Sequence, residues 1–99
     1  MIKHVVMFRF RDDVDEATRK TVRETFRAQI LALRDKLPFV RAIEVGFNVN
    51  GQETWDICLE GVFDTLDDVR RYSTFPDHVS AAGGLKPYVQ GRSCVDYAC

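Results

Sequence analysis

Nine residues at the start of the chain, Ile2 to Phe10, constrain its fold most. They read IKHVVMFRF, rich in β-branched and aromatic side chains and free of Gly and Pro, which is the composition of a strand. Alternation turns Ile2, His4, Val6, Phe8 and Phe10 to one side and Lys3, Val5, Met7 and Arg9 to the other. The first face is apolar except for His4. The second is apolar at its centre, at Val5 and Met7, with a cation at each end. A solvated sheet face does not have this pattern, so both faces are expected to be covered: one by the chain's own helices, the other by a layer that so short a chain has to borrow.

At 99 residues the chain is expected to form one domain spanning 1–99, with a single two-layer core. Fourteen Lys and Arg against 15 Asp and Glu leave a formal charge of -1, which gives no reason to expect nucleic acid or an anionic membrane as a partner. Apolar runs are too short to span a bilayer, and Arg9 and Arg11 interrupt any signal-peptide-like segment. Cys58, Cys94 and Cys99 are odd in number and lack CxxC spacing. The expectation is therefore reduced thiols in a cytoplasmic protein, without a structural metal.

Downstream of the first strand, Asp15 is an N-cap candidate, and Val22, Phe26, Ile30, Leu33 and Leu37 trace one face of a helix that Pro38 ends. A strand is predicted over residues 39–49, an Asn50-Gly51 hairpin turn follows, and a further strand spans 54–63. In that strand Trp55, Ile57, Leu59 and Phe63 share one side, and Gly61 marks a bulge or a close backbone approach. Thr65 and Asp68 resemble a capping box ahead of a short helix lined by Leu66, Val69 and Tyr72. Pro76 to Val79 is suited to start another helical turn, whereas Ala81-Ala82-Gly83-Gly84 reads as a mobile loop. The last strand runs from 92 to 98. The order β-α-β-β-α-β predicts an α+β, ferredoxin-like protomer, a four-stranded antiparallel sheet with two helices on one face. The uncovered face, carrying Val5, Met7 and Val62, predicts a two-fold homodimer. Asp96 and Glu60 are assigned to that same face, with Arg9, Arg92 or Lys3 to neutralise them.

Five blocks, IKHVVMFRFRDDV, PFVRAIEVGFNV, FDTLDDVRRY, PDHV and LKPYVQGRSCVDY, together resemble the stress-responsive A/B barrel domain family over nearly the whole chain. The resemblance implies a dimeric α+β barrel in which two four-stranded sheets pack face to face. It says less about activity, because one fold hosts unrelated chemistries. One characterised member, olivetolic acid cyclase, is a polyketide cyclase that works without cofactor or metal, in a pocket between sheet and helices. By this resemblance its catalytic histidine falls on His78, the supporting tyrosine on Tyr72 and the first-strand histidine on His4. The pocket-lining positions fall on Val6, Phe8, Leu59 and Phe26. The chain departs from the family at Phe75, where many members carry His, and at Gly83-Gly84, so the mouth of the pocket is expected to differ.

Read from the residues alone, His78 follows a proline and lies six residues after Tyr72. Its imidazole titrates near neutrality, which suits it to take a proton from an activated carbon or a phenol. On its apolar strand face, His4 is either a hydrogen-bonded core residue or a polar anchor in a greasy pocket. Asp77 is expected to point away from His78. No Ser-His-Asp set, phosphate-binding glycine loop or metal-ligand cluster is apparent. Three functions stay open: a small-molecule binding protein, a cofactor-independent cyclase- or lyase-type enzyme with His78 as general base, and a structural or accessory dimer.

Overall fold

A computed structural model describes residues 1–99. Its elements are β1 (Ile2–Phe10), α1 (Glu16–Lys36), β2 (Ala42–Phe47), β3 (Ile57–Phe63), α2 (Leu66–Thr74), α3 (Pro76–Leu85), a 3₁₀ turn (Lys86–Tyr88) and β4 (Val89–Ala98). The four strands form one antiparallel sheet in the order β2-β3-β1-β4. This is the ferredoxin-like arrangement, with β1 central and β4 at an edge.

Local chemistry explains most of the boundaries. The Asp15 carboxylate accepts from the Thr18 amide at 2.8 Å and starts α1, while Thr65 accepts from the Asp68 amide at 3.2 Å and starts α2. Leu37 caps α1 one residue before Pro38. Along α1, Phe26, Ile30 and Leu33 are buried as their spacing predicts. They pack with Val6, Phe10, Ile43, Val45, Ile57, Leu59, Phe63, Val69, Tyr72, Ala81 and Leu85 into one core between sheet and helices.

Several expectations need correction. The 81–84 loop belongs to a third helix, α3, whose Ala81 and Leu85 are buried four residues apart. That packing outweighs the roughly 1 kcal/mol each glycine costs in a helix. Strand β2 ends at Phe47 rather than Val49, which is 99% exposed. Side chains of Asn48 and Asn50 accept from the amides of Asn50 and Gln52 and build a wider loop. No glycine has a positive φ, so the tight two-residue turn favoured by Asn-Gly does not form. Leu66 is exposed rather than packed. Outside β3 the alternation no longer holds: Trp55 lies over Gly91, which pairs with Arg9, on the face away from the core. Gly61 is a close approach and no bulge, because a Cβ there would meet the Phe63 ring at 2.7 Å.

The face away from the helices carries Val5 and Met7 of β1, with Val62 on β3 and Val95 and Tyr97 on β4. Val95 is 54% exposed and Tyr97 45%. Asp96 is not on that face. Paired residues of an antiparallel ladder point to the same side, and Asp96 is paired with His4, as Arg92 is with Phe8. Glu60, opposite Val5, does lie on the outer face as expected.

Candidate functional site

Where the helices leave β4 uncovered, the core opens into a cavity of about 300 Å³. Its floor is the sheet: His4, Val6 and Phe8 from β1, Leu59 from β3, Val89 and Arg92 from β4. Its roof is helical: Phe26 from α1, Ser73 from α2, then His78, Ala82, Leu85 and Lys86. Phe8 and Phe26 meet edge to face at 5.4 Å across the interior. The size is at the lower end for small-molecule sites, and the lining is mainly apolar with few convergent polar groups, as such sites require.

The cavity therefore brings together His4, His78, Val6, Phe8, Phe26 and Leu59. Tyr72 stands apart from the wall, fully buried behind both imidazoles. Its ring centroid lies 4.6 Å from that of His78 and 6.1 Å from that of His4, in edge contacts. No hydrogen bond links Tyr72 to His78: the Tyr72 hydroxyl and the His78 Nδ1 are both buried without a partner. Tyr72 thus holds the imidazoles by packing. Burial raises its phenol well above the usual range, so it stays protonated. Burial also lowers the His78 imidazole below its ordinary value, opposed by the nearby Ser73 backbone and reinforced by His4 and Arg92. A neutral His78 can accept a proton.

His4 is oriented by a residue that sequence reasoning placed on the wrong face. Its Nδ1 makes a short contact with the Asp96 carboxylate, and the Cys94 Sγ lies 3.6 Å from the same nitrogen. A ring edge from Phe63 packs on His4 at 6.2 Å. Asp96 could have been found from sequence only through the β4 register, since both residues sit at the third position from the ends of their paired strands. Asp77 instead pairs with Lys36 of α1, away from His78 as expected.

His4 Nδ1, Cys94 Sγ and the Asp96 carboxylate lie within 4.8 Å of one another, the only group of three metal-ligating side chains in the chain. The three side chains form a hydrogen-bonded cluster: Asp96 engages His4 Nδ1, and burial, with Asp96 beside it, pushes the Cys94 thiol up, opposed by Arg92.

The family model of the stress responsive A/B barrel domain matches residues 2–99. No curated protein matches the chain. Among solved structures, a dimeric ferredoxin-like protein of unknown function from Bacteroides fragilis is 45% identical, with 99% of this chain and 95% of that one covered and a TM-score of 0.96. A dimeric ferredoxin-like protein of unknown function from Thermobifida fusca is 24% identical, with 99% and 90% covered and a TM-score of 0.83. At 14% identity, a hydroxynitrile lyase from Passiflora edulis shares the fold, with 97% and 90% covered and a TM-score of 0.76.

Proposed function

The chain belongs to the stress-responsive A/B barrel domain family, and from that premise we propose that it is a homodimer whose sheet–helix pocket binds a small apolar or aromatic molecule. One observation carries this reading: a mainly apolar cavity, lined from all three helices and three strands, opens beside an otherwise sealed core. Such a cavity costs stability unless something fills it. Retention of a small molecule in native mass spectrometry of freshly purified protein is the expected result. A bare mass, together with no uptake of small aromatic probes, would sink the proposal.

The dimer rests on the outward row of Val5, Met7, Val62, Val95 and Tyr97, and on the dimeric state of the Bacteroides fragilis and Thermobifida fusca proteins. Introducing a charge there by Met7→Asp is expected to halve the mass seen by light scattering. An unchanged mass would refute this face as the interface.

A second reading, turnover by proton transfer, is favoured by the convergence of both imidazoles of the chain on one cavity. Neutral His78 acts as general base toward an acidic C–H of a polyketide-like substrate, Tyr72 supports it by packing, and His4, held by Asp96, contacts the substrate from the floor. The Passiflora edulis lyase shares this fold, which is thus compatible with lyase chemistry. Deuterium exchange at the α-carbon of bound benzoylacetone, followed by NMR, tests it. His78→Ala is expected to slow exchange by about 10²- to 10⁴-fold without changing the dimer. Equal exchange in both proteins would leave binding alone.

A further inference from the structure

We infer that the pocket's ligand is an amphipathic carboxylate, its apolar body in the cavity and its carboxylate at the mouth between Arg92 and Lys86. This rests on the pocket-binding reading above. Arg92 and Lys86 come from different elements, β4 and the 3₁₀ turn, yet both reach the rim of one apolar cavity. Neither is paired with a carboxylate, whereas Arg9, Arg11, Arg19, Arg23, Lys36, Arg41, Arg70 and Arg71 all are; of the unpaired cations, which include Lys3, Lys20, Arg27 and Arg34, these two alone line the cavity. Lys86 also caps the end of α3, where a cation complements the helix dipole; Arg92 has no such employment. The one carboxylate nearby, Asp96, is turned to His4. No acidic side chain lines the cavity itself.

Deeper in, the surface changes character. Val6, Phe8, Phe26, Leu59 and Leu85 present carbon to any occupant. A ligand charged throughout would lose hydration there without compensation, and a wholly apolar one would leave the guanidinium unused. One end of each kind satisfies the site, and a guanidinium can hold a carboxylate through two parallel hydrogen bonds.

Matched probes test this. Octanoate, octanamide and octanol share a chain that fits the cavity and differ at the head group. By isothermal titration at low salt, octanoate is expected to bind roughly tenfold more tightly than the two neutral probes. In Arg92→Gln that preference is expected to disappear while octanol affinity stays unchanged, and added salt should weaken octanoate selectively. Equal affinities in the unaltered protein, or a preference that survives both Arg92→Gln and Lys86→Gln, would overturn the inference and leave the pocket standing. Failure of all three probes to bind would instead bring down the pocket reading itself, and this inference with it.

Discussion

Strands β3 and β4 flank the same central strand and both turn alternate side chains toward the helices, yet the two rows have opposite surroundings. On β3, Ile57, Leu59 and Phe63 are at most 2% exposed. On β4, Arg92, Cys94 and Asp96 are exposed. The cause is coverage. Helix α1 packs against β2 and α2 against β3, whereas the chief partner of β4 is β1. Titratable groups are tolerable on β4 because water or a ligand can solvate them, and costly on the sealed row of β3, two strands further in. His4 sits on the boundary, with Gly61 opposite it on one side and Asp96 on the other. The candidate site lies where the sheet outruns its helices.

The strongest way to break this comparison is paired truncation. Phe63→Ala should cost about 3–5 kcal/mol, and Cys94→Ala about 0.5 kcal/mol or less, measured by equilibrium urea unfolding. Similar losses would mean that β4 is as sealed as β3. Next in size are the strand glycines. Gly61→Ala would drive a Cβ to 2.7 Å from the Phe63 ring, at a cost of about 1–3 kcal/mol. At Gly91, a new Cβ would meet Trp55 at an ordinary 3.5 Å, and Gly91→Ala should be near neutral. A double-mutant cycle of Gly61→Ala with Phe63→Leu sharpens the point, since coupling between them is expected and additivity would deny the contact.

Smaller still is the boundary itself. Asp96→Asn weakens a charge-assisted hydrogen bond to a buried ring whose partner is part-exposed, and a loss of about 1 kcal/mol is expected in the same unfolding assay. No change at all would mean that His4 is held by packing alone.

The smallest effect is a pH dependence. In the folded chain His78 titrates below its ordinary 6.5, so between the two values the unfolded chain binds more protons. Its contribution is complete above about pH 6.5 and is lost as pH falls through the folded value. The stability gap between the unaltered protein and His78→Gln should therefore shift against the former on acidification. A pH-independent gap would contradict a buried, neutral imidazole.

Much of the fold could be read from local pattern. The four-four-three-four spacing on α1, the Asp15 and Thr65 caps and the two-faced β1 each carry their information within a few residues. Placing His4 and His78 together needed the family resemblance as well, because helix α3 and strand β1 are joined only through tertiary packing. Asp96 was misplaced because nothing near it in sequence sets the register of an edge strand. Trp55 was misplaced because alternation ends where the ladder ends. The second half of α3, residues 81–84, reads as a loop because its glycines argue locally against what Ala81 and Leu85 gain by burial.

The alternation of β4 has a consequence for how such a chain can diverge. Arg92, Cys94 and Asp96 interleave with Ser93, Val95 and Tyr97, so the helix-side row, with Arg92 in the cavity wall, and the outer face are inherited through one continuous run of residues. Substitutions can alter either set independently and at little cost to the core. A single-residue insertion or deletion within the run would exchange the two rows, turning Val95 and Tyr97 toward the helix side and the charges to the opposite face. The register irregularity in the β1–β4 pairing falls at Gln90, between Val89, paired with Phe10, and Gly91, paired with Arg9, and it sets Val89 on the same side as Arg92, where both line the cavity. One extra residue in an edge strand thus already decides which side chains the cavity receives.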